Sequence, residues 1–294
     1  EQILTEFSHP RVGVVAVPSI HRRQPPQTLY SGGAPPPPTR RQRDAPGRPA
    51  APEDRTAAYF LSTNRAKRSV AIDMSQPAGQ DLVRRLAAEA DVLVENYKAG
   101  GLARYGLDYE SLRTVNPRLV YCSITGFGHS GPYMQRAGYD FMIQGMGGLM
   151  SLTGEPDGVP GGGPVKVGVA LSDVMTGLYA AIAILAALQG RERTGQGQHI
   201  DLSLLDVTVA TLANQALNFL VTGQPPTRLG NAHPNVVPYQ RFATKDGHII
   251  LAIGNDAQFR RFCVTAGRPD LAEDPHYATN ELRIAARETL VAIV

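Results

Sequence analysis

The chain has 294 residues, of which 43% are apolar, and this length and composition predict a globular protein with a large core and more than one domain. Because no uncharged apolar run reaches about 18 residues, the sequence argues against a membrane span. Two cysteines are too few for a disulfide framework, and the seven histidines are scattered without the spacing of a metal site. We therefore expect a cytoplasmic protein with no bound metal.

The basic side chains are concentrated at the start of the chain. Residues 1–68 carry 11 Lys and Arg against 5 Asp and Glu, whereas the remainder is slightly acidic. Residues 1–57 are rich in Pro, Arg and Gln, a composition typical of disordered or polyproline II chain. The pattern Pro-x-x-Pro-x-Arg at residues 35–40 formally matches a ligand of SH3 domains. We expect plain disorder over 1–57 and keep the interaction as the alternative.

From residue 58 onward, helical and strand-like patterns alternate, which predicts a parallel sheet flanked by helices. From Pro238 onward the pattern changes to two strands around Lys245-Asp246-Gly247, a hairpin signal, and then to helices. This change predicts the start of a smaller α+β domain. The predicted helical segments are 76–90, 109–114, 141–152, 174–188, 204–222, 257–266 and 280–294, and the predicted strands are 91–95, 118–125, 199–204, 239–244 and 248–253.

One acidic residue stands at the start of an apolar helix. A strand-like run over residues 167–171 leads through Ser172-Asp173 into the helix predicted over 174–188, which residues 190–198 then break. As an N-cap, Asp173 would stabilise this helix by about 1 kcal/mol. As a nucleophile, it would benefit from the helix N-terminus, which keeps a carboxylate ionised. The spacing alone does not decide between the two roles.

Several short motifs follow one another along the chain. They are YF at 59–60, NRAKRSV at 64–70, DVLVENY at 91–97, NPRLVY at 116–121, SITGFGHSG at 123–131, RAGYD at 136–140, RTGQGQ at 193–198 and HPNVVPYQRF at 233–242. Their order and spacing resemble those of the class III CoA-transferases of the CaiB/BaiF type, which include formyl-CoA transferase and succinyl-CoA:glutarate CoA-transferase. The resemblance covers residues 58–294.

The resemblance implies a fold and a domain organisation. It implies a Rossmann-like open parallel sheet in a large CoA-binding catalytic domain over 58–204, a linker helix over 205–228, and the start of a small α+β domain over 229–294. Because members of the family form interlocked homodimers, we expect a homodimer. Residues 1–57 lack the strand–helix–strand unit with which family members begin, and those members continue beyond residue 294. We therefore expect an atypical N-terminus, a truncated C-terminus and a chain that is a poor enzyme by itself.

The resemblance also implies a chemistry. Asp173 would attack an acyl-CoA, and CoA would pass to a carboxylic acid acceptor through aspartyl anhydride and aspartyl-CoA thioester intermediates. Acyl-CoA is then a substrate, no cofactor is tightly bound, and neither nucleic acid nor a membrane is an expected partner. Succinyl-CoA is our choice of donor, with a small dicarboxylate as acceptor. The positions carried over from the family as contacts of CoA are Ile72, Asp73, Asn96, Tyr97, Lys98, Arg104, Ala137, Gly138, Tyr139 and Asp140.

Several further roles stay open. The backbone N–H groups near Gly126-Phe127-Gly128 and near Gly254-Asn255 either stabilise an oxyanion or belong to ordinary turns. The glycine-rich stretch over 154–163 is either a surface loop or a lid, and Arg228 contacts either an acidic acceptor or solvent. The basic residues that face either phosphates or water are Arg65, Lys67 and Arg68.

Two other functions are alternatives to CoA transfer. One is an α-methylacyl-CoA racemase of the same fold, and the other is an inactive fragment that serves as a scaffold. Related racemases use a His as an acid and base at the position of Tyr139. Because tyrosine is a poor proton acceptor at neutral pH, the sequence favours the transferase over the racemase.

Overall fold

The computed structural model describes residues 14–17, 27–32, 62–64 and 67–294. The chain divides into two compact units. Unit 1 consists of Glu1–Leu149 and Val167–Leu217, and unit 2 consists of Met150–Lys166 and Asn218–Val294. These boundaries differ from the predicted ones, because residues 150–166 belong to unit 2 and the predicted linker helix over 205–228 is divided between the units.

In the described part of unit 1, six strands form one sheet. They are β1 (Val14–Val17), β2 (Gln27–Gly32), β3 (Lys67–Ile72), β4 (Val92–Glu95), β5 (Val120–Thr125) and β6 (His199–Ser203), in the spatial order β3-β2-β1-β4-β5-β6. β1, β4, β5 and β6 run parallel, whereas β2 is antiparallel to both of its neighbours. The fold is therefore α/β with a parallel sheet, as predicted, but β2 makes the sheet mixed.

β1 and β2 lie inside the segment for which the sequence predicts disorder, so that prediction is wrong for these two strands. The sequence of β1, VVAV, is mostly β-branched, and such residues favour the pleated backbone of a strand. A composition averaged over residues 1–57 hides so short a run, and pairing with β4 supplies its backbone hydrogen bonds. The rest of residues 1–57, including the SH3-ligand pattern, lies outside the described residues.

Helices follow the strands of unit 1. Up to residue 222, the described helices are α1 (Pro77–Glu89), α2 (Tyr109–Val115), α3 (Asp140–Met146), α4 (Leu149–Leu152), α5 (Leu171–Thr194), α6 (Leu204–Thr211) and α7 (Asn214–Thr222), with a 3₁₀ turn at Ala103–Tyr105. The predicted helices over 141–152 and 204–222 are thus each divided in two. Gly148 (φ 87°) ends the first and Ala213 (φ 48°) the second, because a left-handed residue does not continue a right-handed helix.

The core of unit 1 lies on both faces of β4 and β5, which are buried along their whole length. Such strands are typical of the centre of a parallel sheet. Because side chains alternate between the faces, Leu93 and Tyr121 join one core cluster with side chains of α1 and α2. Val94 and Cys122 join the other cluster with side chains of α3, α5 and α6. Cys122 and Cys263 are both buried free thiols, as the sequence predicts.

Helix α5 begins earlier and ends later than predicted. Residues 164–170, predicted in part as a strand, form a loop. The helix continues through Gly190, since a glycine costs only about 1 kcal/mol inside a helix and α5 packs on α6, α3, β5 and β6. It ends at Gly195, whose φ of 71° is a left-handed conformation that glycine adopts without strain.

By length and composition, α5 would be able to cross a membrane, and α6 and α7 would do so together if they were not bent by 78°. Core helices of globular proteins have the same composition. In unit 1, α5 supplies Ala180, Ile184 and Ala187 to the core cluster that contains Val94 and Cys122. We therefore describe α5 as a core helix.

Unit 2 contains an antiparallel hairpin and short helices. β7 (Tyr239–Ala243) pairs with β8 (His248–Ala252) around Lys245-Asp246-Gly247, which confirms the predicted hairpin. The helix predicted over 280–294 is interrupted at Ala286. The helices that follow the hairpin are α8 (Asp256–Thr265), α9 (Pro269–Glu273), α10 (Asn280–Ala285) and α11 (Arg287–Ile293), and their core includes Phe259, Cys263, Leu271 and Leu290.

Candidate functional site

Most predicted site residues in unit 1 follow the carboxyl ends of strands at one edge of the sheet. β3, β4 and β5 point in the same direction, so Asp73, Asn96 and Gly126 follow strand ends along that edge. Open α/β sheets bind ligands at this edge. Since neighbouring strands are about 4.8 Å apart, the ends of β3 and β4, which are three strand positions apart, are separated by roughly 14 Å.

The two predicted positions at the end of β3 differ in their access to solvent. Ile72 is 3% exposed and packs in a core cluster with Met74 and Val83, so its side chain is not accessible to a ligand. The exposed carboxylate of Asp73 accepts hydrogen bonds from the hydroxyl (2.6 Å) and the backbone N–H (2.9 Å) of Ser75. These hydrogen bonds lower the pKa of Asp73. An ionised carboxylate suits a hydroxyl or amino group of a ligand rather than a phosphate.

Asn96, Tyr97 and Lys98 form the turn that leaves β4, with Asn96 and Tyr97 half-buried and Lys98 exposed. The backbone N–H of Tyr97 donates to Oε2 of Glu95 at 2.7 Å. Burial, with a contribution from the Glu95 carboxylate, raises the pKa of the Tyr97 hydroxyl, which therefore stays protonated as a neutral donor. Arg104 is exposed on the 3₁₀ turn, where its guanidinium carbon lies 4.5 Å from the centre of the Tyr105 ring.

A polar cluster lies beside this turn; we call Glu95, Ser123, His129, His199 and Asp201 the Glu95 cluster. Oγ of Ser123 lies 3.0 Å from Nε2 of His199, and the His129 backbone N–H donates to Oδ2 of Asp201 at 3.0 Å. The imidazole rings of His129 and His199 have their centres 5.4 Å apart. A cavity of about 180 Å³ is lined by members of this cluster and by the turn after β4.

Burial controls the protonation of the Glu95 cluster. It raises the pKa of Glu95 to about 7, against the opposing effect of hydrogen bonds from Ser123 and from the Tyr97 N–H. It also lowers the pKa of His199, and the neighbouring His129 lowers it further. The uncharged forms of both groups are thus favoured. The sequence motifs do not indicate this cluster, and its one visible signal is the glutamate that ends the otherwise apolar strand β4.

Two loops of unit 1 meet at a pair of glycines. A Cβ atom on Gly138 would lie 2.4 Å from Cα of Gly126, and a Cβ atom on Gly126 would lie 2.5 Å from Cα of Gly138. Any side chain at either position would force the two backbones apart. The contact places the candidate oxyanion loop at Gly126 against the stretch 137–140. Within this loop, the Gly128 N–H donates to Oγ1 of Thr125 at 2.8 Å, so this N–H serves the loop itself.

The carboxylate of Asp140 connects the stretch 137–140 to the start of α5. Its Oδ1 accepts a hydrogen bond from the Ser172 backbone N–H at 2.9 Å, and both of its oxygens accept from Nε2 of Gln144, at 3.1 and 2.9 Å. Ala170, at the N-cap position of α5, has no side-chain oxygen that accepts a hydrogen bond. Asp140 therefore caps α5 from another helix. We call Asp140, Gln144 and Ser172 the Asp140 network.

Asp173 is the third residue of α5 and is half-buried. Because α5 already begins at Leu171, Asp173 is not its N-cap residue, and the capping role considered from the sequence does not describe its position. An acidic side chain in the first turn of a helix still gains about 0.3–1 kcal/mol from the helix dipole, which favours its ionised form. Asp173 thus directly follows Ser172, the residue of α5 that the Asp140 network holds.

The structure therefore brings some predicted site residues together and leaves others apart. Asp173 adjoins the stretch 137–140 through Ser172. Nε2 of Gln135, just before this stretch, lies 3.5 Å from the carbonyl oxygen of Ala99, which connects it to the turn after β4. Ile72 and Asp73 stand farther along the sheet edge. Tyr139 is 60% exposed and precedes α3, where its side chain is accessible to a ligand.

In unit 2, Arg228 holds the glycine-rich stretch over 154–163. Its side chain is 10% exposed, pairs with Asp157 and donates to the Ser151 carbonyl at 3.3 Å. Arg228 is thus part of a contact between two loops rather than a solvated side chain. At the other candidate oxyanion turn, the Gly254 N–H donates to Oε1 of Gln258 at 2.7 Å, and the Asn255 side chain caps α8.

Two remaining expectations concern basic residues and metals. Lys67 donates to the Thr63 carbonyl, and burial lowers its pKa. The side chains of Arg65 and Arg68 lie outside the described residues. Within the described ranges, no group of three His, Cys, Asp or Glu side chains is arranged to hold a metal ion.

The known proteins that this chain resembles include CoA-transferases. The model of CoA-transferase family III matches residues 38–294. The chain is 56% identical over 242 residues to the succinate–glutarate CoA-transferase of Agrobacterium fabrum, an alignment that covers 82% of this chain and 60% of the relative. It is 46% identical over 238 residues to the succinyl-CoA:glutarate CoA-transferase of Mus musculus, over 81% of this chain and 54% of the relative.

Among solved structures, a CAIB/BAIF family protein from Brucella suis matches with a TM-score of 0.70 and 55% sequence identity, over 86% of this chain and 66% of that chain. The chain therefore spans a little more than half the length of the curated relatives described above.

Proposed function

The chain belongs to CoA-transferase family III, and on that premise we propose that it carries the nucleophile of an enzyme that moves CoA from an acyl-CoA donor to a carboxylic acid acceptor. The observation that supports this most is the position of Asp173 in the first turn of α5, next to Ser172, whose N–H is held by Asp140. The helix dipole favours the ionised nucleophile. Because the relatives are longer, the activity of the whole protein is part of the proposal.

The proposed reaction balances in four steps without water or net proton transfer. A carboxylate oxygen of Asp173 attacks the thioester carbonyl, the C–S bond breaks, and an aspartyl–acyl anhydride and CoA thiolate form. The thiolate attacks the aspartyl carbonyl and releases the donor acid, which leaves an aspartyl-CoA thioester. The acceptor carboxylate attacks the same carbonyl and releases the thiolate, which forms a second anhydride. The thiolate then attacks the acyl carbon of the acceptor, which produces the new acyl-CoA and regenerates Asp173.

The neighbours of Asp173 would stabilise the charge that develops on the carbonyl oxygens. Backbone N–H groups held in fixed positions are effective donors to such oxyanions. We assign this role to the loop at Gly126-Phe127, which adjoins the stretch 137–140. The N–H groups of Gly128 and Gly254 are less suitable, because they donate to Thr125 and Gln258 within the protein.

CoA would lie along the carboxyl edge of the sheet in unit 1. Asn96, Lys98 and Arg104 offer donors for its amides and phosphates at the turn after β4. The stretch 137–140 would then carry the thioester towards Asp173. The backbone of Ile72 and the carboxylate of Asp73 would meet a part of the ligand roughly 14 Å from that turn, and Tyr97 would donate a neutral hydrogen bond.

The names of the relatives suggest the substrates. One is a succinate–glutarate CoA-transferase and another a succinyl-CoA:glutarate CoA-transferase. We propose succinyl-CoA as the donor and glutarate, or a dicarboxylate of similar length, as the acceptor. Arg228 is not part of this assignment, since its guanidinium pairs with Asp157 and donates to Ser151 in unit 2.

An exposed apolar stripe supports a homodimer. Leu178, Ile182 and Leu185 of α5 follow one another at helical spacing and are 44%, 66% and 52% exposed, and Phe141 of α3 is 60% exposed. Apolar side chains grouped in this way are typical of protein interfaces. We propose that this stripe is buried in a homodimer of a cytoplasmic enzyme. Sedimentation of the parent and of Ile182→Glu tests this, since the variant should sediment as a monomer.

The central test is the variant Asp173→Asn, with Asp81→Asn on the exposed face of α1 as its control. With succinyl-CoA and a panel of carboxylic acids, we expect turnover to fall by more than about 10³-fold in Asp173→Asn and to stay near parental in the control. Mass spectrometry of the peptide that contains Asp173 should detect the aspartyl-CoA thioester in the parent. If Asp173→Asn keeps a tenth of the parental turnover, Asp173 is not the nucleophile. If the parent exchanges deuterium at the α-carbon of a 2-methylacyl-CoA, the racemase is favoured over the transferase.

A further inference from the structure

Gln144, on α3, is a polar side chain in the interior of unit 1, with 0% exposure. Its Nε2 donates to the two Asp140 oxygens and lies 3.3 Å from the carbonyl oxygen of Val169. Its Oε1 accepts a hydrogen bond from the Val167 backbone N–H at 3.0 Å. The amide thus binds Asp140 on one side and the loop that precedes α5 on the other. A neutral amide has the donors and the acceptor that these two tasks require.

The contacts of Gln144 converge on the first turn of α5. Gln144 fixes the orientation of Asp140, and Asp140 holds the backbone N–H of Ser172. The buried Ser172 hydroxyl accepts a hydrogen bond from Oγ1 of Thr208 at 2.8 Å, and its carbonyl accepts one from Oγ1 of Thr176 at 2.7 Å. Ser172 is therefore held through its N–H, its hydroxyl and its carbonyl. Gln144 supports the first of these three contacts and, through Val167, the chain that leads into the helix.

We propose that Gln144 is a positioning residue for Asp173: through Asp140 and the loop over 167–169, it fixes the backbone from which the nucleophile projects. This inference rests on the proposed function. Gln144 itself lies in the protein interior and touches no reacting atom in this assignment.

The position of Asp173 matters more than that of an ordinary nucleophile, because within one turnover Asp173 is first the attacking group and then the group that is attacked. Its oxygen first attacks the donor, and its own carbonyl is then attacked by the thiolate and by the acceptor. Misplacing a reacting group by about 1 Å can cost on the order of 10²-fold in rate. The proposed CoA contacts at Asn96, Lys98 and Arg104 lie on a different segment. Loss of the Gln144 contacts should therefore lower kcat more than it raises KM for acyl-CoA.

The chemistry of the site explains why other residues would not replace Gln144. A methionine of similar size would leave the Val167 N–H and the Asp140 carboxylate without their buried partner. A glutamate would keep the acceptor but, when ionised, would lose the donor and place a second negative charge beside Asp140. A protonated glutamate would restore the donor. Gln144→Glu should therefore regain function as the pH is lowered, in contrast to Gln144→Met.

The experiment compares Gln144→Met with the control Gln80→Met. Gln80 is a half-buried residue of α1 whose Nε2 donates to the Met74 carbonyl at 3.1 Å. In the whole protein with succinyl-CoA and glutarate, we expect Gln144→Met to lower kcat about 10²-fold with KM changed less than about threefold, and Gln80→Met to alter both less than about threefold. Hydrogen exchange of the Val167 and Ser172 amides should be faster in Gln144→Met and parental in Gln80→Met.

The outcomes separate the two proposals. If Asp173→Asn keeps its turnover, the proposed function fails. If Asp173→Asn is inactive while Gln144→Met turns over within about threefold of Gln80→Met, the positioning role fails and the function stands. Hydrogen exchange needs no turnover, so parental protection of Val167 and Ser172 in a folded Gln144→Met chain also overturns the positioning role. If Gln144→Met does not fold, hydrogen exchange of the Val167 and Ser172 amides is measured in Gln144→Glu instead. Protection of these amides that does not change with pH contradicts the proposal.

Discussion

The Asp140 network and the Glu95 cluster stabilise carboxyl groups of unit 1 in different ways. Asp140 is half-buried and accepts hydrogen bonds from the Ser172 backbone N–H and the Gln144 side-chain amide, so that it joins α3 to the start of α5. Glu95 is 3% exposed and also accepts hydrogen bonds, yet burial raises its pKa to about 7. The desolvation of Glu95 therefore outweighs its hydrogen bonds.

Two different physical quantities therefore control the Asp140 network and the Glu95 cluster. In the Asp140 network, the directions of the N–H donors determine where the first turn of α5 lies. In the Glu95 cluster, the depth of burial determines whether a proton is bound. Removing a hydrogen-bonding group should therefore have its larger effect in the first region, and changing the pH should have its larger effect in the second.

The largest expected effect is that of Asp140→Ala on stability. The substitution leaves the Ser172 N–H and the buried Gln144 amide without their acceptor. Because a hydrogen bond to a charged group contributes about 1.5–3 kcal/mol, the free energy of unfolding should fall by roughly 3–5 kcal/mol. Urea unfolding of Asp140→Ala and of the exposed control Asp81→Ala measures this. A loss below about 1 kcal/mol would show that water replaces the carboxylate and that the network does not hold α5.

The second expected effect is a change in how the free energy of unfolding depends on pH in the variant Glu95→Gln. Because the pKa of Glu95 rises from 4.5 in the unfolded chain to about 7 in the fold, the native state binds this proton more tightly. The resulting stability is fully present below pH 4.5 and is lost as the pH rises towards 7. At about 1.4 kcal/mol for each pKa unit, the loss is on the order of 3 kcal/mol. Glu95→Gln, which stays neutral, should therefore unfold with a higher free energy than the parent at pH 8 and with a similar one at pH 4.

The control for this effect is Glu89→Gln, on the exposed end of α1. Burial also lowers the pKa of His199, which reduces stability as the pH falls. Parent and variant share His199, so the difference between their pH profiles reports mainly on Glu95. If the two profiles run parallel from pH 4 to pH 8, desolvation does not control the Glu95 cluster.

The sequence reveals those features of the fold that depend on local patterns of residues. β4 and β5 were predicted within two residues of their bounds, because runs such as Val92 to Val94 are buried on both faces and need no distant partner to be recognised. The hairpin around Asp246-Gly247 was predicted because its turn chemistry is local. The position of Asp173 at a helix start was also visible, although the helix begins earlier than its apolar run.

The features that were missed depend on residues that are distant in the sequence. The cap of α5 comes from Asp140, which lies 32 residues before Ser172, and no pattern near Ala170 indicates it. The Glu95 cluster is assembled from β4, β5, β6 and the loop that contains His129, and the sheet places Glu95 beside Ser123 and Ser123 beside Asp201. β1 and β2 were missed because their pairing partners lie in later segments.

The smallest expected effect is that of Arg104→Gln on CoA binding. Arg104 lies on the 3₁₀ turn at Ala103–Tyr105, outside both the Asp140 network and the Glu95 cluster. Arg104 is exposed beside the Tyr105 ring, so its charge is well solvated and a contact with a phosphate is partly screened by salt. A contribution of about 1 kcal/mol corresponds to a roughly fivefold increase in KM for acyl-CoA, with kcat unchanged. The increase should shrink as the salt concentration is raised. Arg85→Gln, on the exposed face of α1, is the matched control. A fall in kcat instead of a rise in KM would place Arg104 with the groups that position Asp173 rather than with those that bind CoA.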